Sequence, residues 1–305
     1  MVKTQLQAQQ LIRRLRWDEL EEACLIQLIG LARDEDVKGT GLAKAPPAAG
    51  DLTSGLLPSD LHGSAELVAR ESLIACGLPL VPLILNSYAA AVSFTPTVED
   101  GAVVKAGDTF GLLEGRVVPM LSLERVMLNF IQHLSGVATT TRAYVSLLEE
   151  TGIRLLDPRK TTPGLRLLEK YAVACGGGYN HRLGLYDRIM LKDNHLEATG
   201  DALSELVQRA RKDHPDVLIE IEVDALEDVR RALDAGADLL LLDNFTPEEV
   251  AQALTLIADR AWVEVSGGIS RQNLADFAMP GLDFISTGAL VHQSRWVDIG
   301  LDWKA

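Results

Sequence analysis

Five cationic or imidazole side chains stand near the ends of short apolar runs: Arg159 and Lys160 after "IRLLDP", Lys192 after "RIML", and His181 with Arg182 in "GGGYNHRLG". Gathered at one place, such groups repel one another unless an anion offsets them, and a planar guanidinium suits bidentate binding of a carboxylate or phosphate. The chemistry implied is recognition of a strongly anionic ligand. Taken singly, each is equally a solvated surface group or the partner of one of the chain's many carboxylates. A second set is acidic: Glu222 in "IEIEVD" and Asp243 in "LLLLDN". Inward carboxylates facing phosphates hold a divalent ion such as Mg²⁺ through hard oxygen ligands; the alternative is pairing with nearby lysines. A third set is small: Ser266, Gly267 and Gly268 in "VEVSGGIS", and Thr287 with Gly288 in "FISTGAL". Backbone N–H groups at such turns can approach a phosphate closely, and ordinary tight turns are the other reading. The glycines of "CGGGYN" either cap a helix or let the loop carrying His181 and Arg182 lie flat over a ligand.

Alternating elements must position these residues. After Leu121, "IRLLD", "RIMLK", "VLIEIEV", "DLLLLD", "WVEVS" and "DFIST" read as strands apolar on both faces. Helix starts are expected at Thr162 with Pro163, at Asp224 with Glu227, and at Thr246 with Pro247 and Glu249, and Gly236 is expected to cap a helix end. Two helical stretches, "SLERVMLNFIQHLSG" and "ATTTRAYVSLLEETG", precede the first strand. Repeated β-α units with strands of this kind imply a parallel sheet covered by helices, closed as a barrel or open and doubly wound. Neither a G-x-G-x-x-G after the first strand nor a Walker P-loop is present, and residues capable of chemistry follow nearly every strand. That distribution favours a barrel mouth.

The front of the chain is different. Residues 4–33 have helix-forming composition, and Asp34 to Asp60, rich in Gly, Pro and Ala, reads as a long loop. From Ala65 to Met120, strand-like runs surround one apolar helix candidate, "VPLILNSYAAA", which suggests a small mixed α+β domain. The stretch "EDGAVVKAGDTFGLLEGRV" resembles the hairpins of lipoyl carriers, but Lys105 lacks a carrier's flanking residues, so a structural hairpin is expected.

Composition narrows the function classes. With 43 Asp+Glu against 29 Lys+Arg the net charge is −14, which argues against nucleic acid or an anionic membrane as main partner. Cys24, Cys76 and Cys175 are odd in number and form no C-x-x-C, so neither a disulfide framework nor a zinc cluster is suggested, and a reducing cytoplasm fits. The first 22 residues lack the apolar core of a signal peptide, and "CGLPLVPLIL" is too short to span a bilayer.

Taken in order, "ERVMLNFIQHLSGVATTT", "DPRKTTPGLRLLEKYAVACGGGYNHRLGLYDRIMLKDNH", "IEIEVD", "LLLLDN", "VEVSGGIS" and "STGAL" resemble quinolinate phosphoribosyltransferase over roughly residues 60 to 303. The resemblance implies an α/β fold: an incomplete α/β (TIM-like) barrel over residues 122–290, a smaller N-terminal α+β sandwich domain over 1–121, and a segment 291–305 returning toward that domain. It implies a cytoplasmic homodimer that shares its active site between subunits, with Mg²⁺ as cofactor and quinolinate and 5-phosphoribosyl 1-pyrophosphate as substrates. The products would be nicotinate mononucleotide, pyrophosphate and CO₂, on the de novo route to NAD. By the same resemblance Arg125, Arg159, His181, Arg182 and Lys192 match quinolinate-binding positions, with Arg125 reaching the partner's site. Lys160 matches a lysine facing the phosphoribosyl donor, Glu222 and Asp243 match carboxylates near the ribose and its metal, and Ser266, Gly267 and Gly288 match the 5-phosphate site. Catalytic roles fall on Lys160, Lys192, Glu222 and Asp243, with Lys192 near the carbon that is reprotonated after CO₂ departs.

The chain departs from the family in two places. Pro158 replaces the Thr of the more usual "DTRKT", and "VKGTGLAKAPPAA" intervenes between Asp36 and Gly50. Three alternatives have distinct chemistry: a related transferase acting on another base, a Schiff-base barrel built on Lys192, and a non-catalytic protein that binds a phosphorylated metabolite.

Overall fold

The structure is a computed structural model that describes residues 3, 5–192, 194, 195, 198 and 202–304. Where one helix is expected over residues 4–33, the chain forms two, α1 (Gln5–Leu11) and α2 (Glu22–Lys38). Tertiary hydrogen bonds account for the break: Arg13 bridges to Asn180, and the Leu15 N–H donates to Asn180 Oδ1 at 2.7 Å. Helix α2 continues past Asp34 and ends at Gly39, whose φ of 67° is left-handed, so the irregular stretch starts later than composition suggests.

Two compact units are formed. The first joins Met1–Leu15 to Thr141–Gln293, and the second joins Arg16–Thr140 to Ser294–Ala305. In this division the first residues group with the barrel strands, and the boundary falls inside a helix. In the second unit an antiparallel sheet contains β1 (His62–Ala69), with the two-residue β2 (Leu73–Ile74), helix α3 (Leu80–Ser87) and β3 (Val92–Pro96) following in the chain. Strand β4 (Val103–Val104) pairs with β2, whereas β5 (Thr109–Arg116) pairs with β1 and β3, so the expected hairpin around Lys105 does not form. Lys105 sits in a turn, its N–H donating to Asp108. The segment Ile299–Trp303 adds a further antiparallel strand beside β1. Helix α4 (Val117–Val145) is one 29-residue helix where two are expected.

The first unit contains a curled, seven-stranded, all-parallel sheet, an incomplete α/β barrel. Its elements are β6 (Arg154–Asp157), α5 (Arg166–Cys175), β7 (Tyr179–Asn180), β8 (Ile189–Leu191), α6 (Leu203–Asp213), β9 (Ile219–Val223), α7 (Leu226–Ala235), β10 (Leu239–Asp243), α8 (Pro247–Ile257), β11 (Trp262–Ser266), β12 (Phe284–Ser286) and α9 (Ala289–His292). The sheet order is β7-β6-β12-β11-β10-β9-β8. All six expected strands form; β7, only two residues long, carries too little pattern to be read from sequence. Its two edges, β7 and β8, are consecutive in the chain, so the segment 181–188 spans the open seam.

Helix ends match the sequence unevenly. Thr246 accepts from the Glu249 N–H in a capping box ahead of Pro247, and Gly236 caps α7 with φ 97°. By contrast α5 starts at Arg166 and not at Thr162, because the Glu169 carboxylate reaches back to the Thr162 N–H at 2.9 Å and holds 162–165 as a turn. Helix α7 has Ala225 as its N-cap, with no side-chain cap from Asp224.

Residues 3–15 are tied to the amino ends of the strands. Lys3 pairs with Asp283 at 2.7 Å, the Gln7 amide donates to Asp238 at 3.0 Å, and Leu11 is buried with Leu156, Leu218, Leu239 and Phe284. The carboxyl ends are left to carry the functional side chains.

Candidate active site

Four strand ends converge on the small-residue turns. At Gly267, φ is 93° and an added Cβ would collide with the Asn244 side chain, so glycine is needed there. The Asn244 N–H in turn donates to the Ser266 carbonyl at 2.9 Å, which locks the β10 and β11 ends together. At Gly288 an added Cβ would lie 3.1 Å from Lys160 Cδ and would collide with His292. The absence of a side chain therefore lets the exposed Lys160 lie against the β12 turn. Thr287 Oγ1 donates to the Ile269 carbonyl at 2.7 Å and closes the same corner.

Two arginines form no ion pair with a carboxylate among the described residues. Arg159 Nε is buried with no hydrogen-bond partner. Among the described residues the Arg182 guanidinium donates only to the Arg188 carbonyl at 3.5 Å and to Met190 Sδ at 3.3 Å. Burial holds the Arg182 guanidinium below its usual range; Glu220 opposes this, and the charges of Arg159 and Arg188 add to it. A half-buried donor pair of this kind is costly unless an anion is bound.

The acidic set is larger than the sequence suggested. Carboxylate oxygens of Glu222, Asp224 and Asp243 lie within 4.8 Å of one another. Burial pushes the Glu222 carboxyl up, and Lys192, which forms an ion pair with it, pushes back. The donor set is all oxygen and partly open, which suits a hard divalent cation. The Lys192 pairing also realises the alternative reading of Glu222. Asp193 lies outside the described residues, and the Lys192 N–H donates to His195 Nδ1 at 3.0 Å.

Beneath this surface is a layer of buried charge that sequence reasoning missed. Asp157 and Lys170, both fully buried, pair at 2.6 Å, and the Asn180 amide donates to Asp157 at 2.8 Å. His181 Nδ1 accepts the Arg182 N–H at 2.7 Å, which leaves the proton on Nε2 to donate to Glu220 at 3.2 Å. Arg188 Nη1 also reaches Glu220, at 3.3 Å, and Glu264 lies 3.5 Å from His181 Nε2. Both ring nitrogens of His181 are thus engaged inside the protein, although the family resemblance gives it to the substrate. The signal was the charged residue within an apolar strand, Glu220 in "IEIEV" and Glu264 in "WVEVS". A buried carboxylate must be held for a reason.

That layer predicts the pH dependence of stability. Burial, reinforced by the Glu220 charge, pushes the Glu264 carboxyl up to about 8, and burial pushes His181 down to about 4. The imidazole stabilises the fold above its unfolded value and loses that contribution as pH falls toward 4. Glu264 does the reverse: its contribution is complete below the unfolded carboxyl value and is lost as pH rises through about 8. Between the ordinary histidine value and pH 8 Glu264 holds an extra proton in the folded state. Unfolding free energy should therefore fall there by about 1 kcal/mol per pH unit, and Glu264→Gln should flatten the slope in urea titrations.

Arg125 lies exposed on α4 in the other compact unit. Arg159, Lys160, His181, Arg182, Lys192, Glu222, Asp243, Ser266, Gly267 and Gly288 all fall in the first unit, at or beside the carboxyl ends of its strands.

Comparison with known proteins agrees with this geometry. Residues 137–302 match the family described as quinolinate phosphoribosyl transferase, C-terminal domain, and residues 51–135 match its N-terminal domain. A protein of Bacillus subtilis (strain 168) named probable nicotinate-nucleotide pyrophosphorylase [carboxylating] is 41% identical, over 83% of this chain and 88% of its own length. The nicotinate-nucleotide pyrophosphorylase [carboxylating] of Mycobacterium leprae is 38% identical, over 82% of this chain and 89% of its own. The solved structure of the nicotinate-nucleotide pyrophosphorylase from Francisella tularensis superposes with a TM-score of 0.87 at 34% identity, covering 96% of this chain and 100% of that one. Both family domains are matched in order across most of the chain, and the chain belongs to the quinolinate phosphoribosyltransferase family.

Proposed function

We propose that this protein transfers a phosphoribosyl group from 5-phosphoribosyl 1-pyrophosphate to quinolinate and releases pyrophosphate and CO₂, giving nicotinate mononucleotide for NAD synthesis. One observation carries the reading at the level of atoms. Arg159 and Arg182 are neighbouring guanidinium groups that pair directly with no carboxylate among the described residues, and quinolinate carries two adjacent carboxylates. Held by them, with Lys192 and His181 beside, the pyridine ring presents its nitrogen to the anomeric carbon, and catalysis is largely positioning and charge. The turns at Ser266, Gly267 and Gly288 take the 5-phosphate, where backbone N–H groups can approach it. Lys160, lying against Gly288, offsets charge that grows on the departing pyrophosphate.

Glu222 and Asp243, with Asp224 beside them, would hold Mg²⁺, which when bound supplies positive charge for the donor's pyrophosphate oxygens. Once alkylated, the ring nitrogen is cationic and stabilises the carbanion left by CO₂. We assign Lys192 to the neighbourhood of that carbon as a proton source. Its ion pair with Glu222 occupies the amine, which disfavours a Schiff-base reaction. A homodimer in which Arg125 of a second copy completes each site is part of this proposal, as is a cytoplasmic location, which Cys24, Cys76 and Cys175, none in a disulfide, support. Among the described residues no helix is long and apolar enough to cross a membrane.

The test supplies quinolinate or nicotinate with the phosphoribosyl donor and Mg²⁺ and follows mononucleotide and CO₂. Quinolinate should give both products. Product from nicotinate alone, or none from either base, would overturn the reading.

A further inference from the structure

The buried carboxylate of Asp157 takes no part in the chemistry above, yet two of its three bonds end on Asn180 and His181, the residues just before Arg182. Its Oδ1 accepts from Lys170 Nζ at 2.6 Å and from the His181 N–H at 3.0 Å, and its Oδ2 accepts from Asn180 Nδ2 at 2.8 Å. Lys170 Nζ also reaches the His181 carbonyl at 3.4 Å, so the His181 residue is gripped at both its N–H and its C=O. Arg182 is the next residue along. On its own strand, Asp157 stands two residues before Arg159.

This grip answers a mechanical need. Strand β7 has two residues at the edge of the sheet, paired to β6 only through Leu156 with Tyr179 and Asp157 with Asn180. So short a ladder is a weak hold on a segment whose Arg182 is repelled by Arg159. A carboxylate with three donors, itself closed off from solvent, adds to the hold that Arg13 and Leu15 keep on Asn180 and extends it to His181.

We propose that Asp157, with Lys170 as its counter-ion, is a positioning residue that sets the spacing of Arg159 and Arg182 and so selects a ring bearing two adjacent carboxylates. The proposal rests on the assignment of those arginines to quinolinate. Asp157 touches no substrate atom, since its oxygens are occupied; it acts through the backbone of 180–182 and through the turn that begins at Pro158.

Steady-state kinetics of the full chain test it, with Asp157→Asn and the double variant Asp157→Ala/Lys170→Met, which leaves no buried charge unpaired. KM for quinolinate should rise about 10–100-fold, the scale expected for a misplaced pair of binding groups. KM for 5-phosphoribosyl 1-pyrophosphate should stay within about twofold, and the preference for quinolinate over nicotinate as competing ligands should narrow in proportion. A merely structural role would lower the active fraction, and with it kcat, while leaving both KM values unchanged; that result overturns the proposal. Should neither variant fold, Asn180→Ala removes one of the three bonds, together with the Asn180 contacts to Leu15 and the Lys170 carbonyl, and must still raise KM for quinolinate alone. Wild-type protein that makes no mononucleotide from quinolinate would instead overturn the assigned reaction.

Discussion

Arg159→Ala should lower kcat/KM for quinolinate by about 10²–10³-fold, on the scale of truncating one member of a desolvated charge pair. The melting temperature should not fall. Most truncations of a half-buried side chain cost stability, but Arg159 Nε has no hydrogen-bond partner among the described residues, and its charge is felt unfavourably by Arg182. Removing it relieves a repulsion and an unmet hydrogen bond, which offset the lost packing of its aliphatic stem. The same site groups thus oppose stability and serve binding. Kinetics with quinolinate and a thermal melt of the same sample check both halves. Unchanged turnover removes Arg159 from the site, and a large drop in melting temperature means that the residue is structural.

Lys170→Met should cost about 3–5 kcal/mol of stability, because it leaves the Asp157 carboxylate buried and without its counter-ion. Burial already pushes that carboxyl up, and the Lys170 charge is the first of the groups that push it back. The urea midpoint should drop with the slope unchanged. Adding Asp157→Ala to the same chain should recover part of the loss, since no unpaired charge then remains in the interior. The difference between the single and double variants measures the coupling directly. Additive losses would mean that the two groups do not act as a pair.

Legibility of the site varied with where its signals lie along the chain. Arg159, Lys160, Lys192, Asp243 and the glycine turns follow strand runs directly, so a strand-by-strand reading collects them. Asp224 was visible in "IEIEVD" but gained its place beside Glu222 and Asp243 only when β9 and β10 paired in register. Glu220 and Glu264 sit within apolar strands, where alternation alone does not tell a buried carboxylate from one facing a helix. The break between α1 and α2 and the late start of α5 were hidden for a related reason. Each depends on a hydrogen bond to a residue distant in the chain or outside the local pattern, Asn180 in one case and Glu169 in the other.

By itself the sequence determined the β-α alternation, the six longer barrel strands, the cationic and glycine-rich strand ends, and the family. These are carried by local periodicity and by motifs contiguous in the chain. Tertiary structure alone decided that His181 turns both ring nitrogens inward and that, among the described residues, the Arg159 and Arg182 guanidinium groups form no ion pair with a carboxylate. It also decided that Asp157 joins β6, β7 and α5 through a single carboxylate. The physical reason is that charge and hydrogen-bond satisfaction are pairwise properties over a few ångströms, and those pairs exist only once strands far apart in sequence lie side by side.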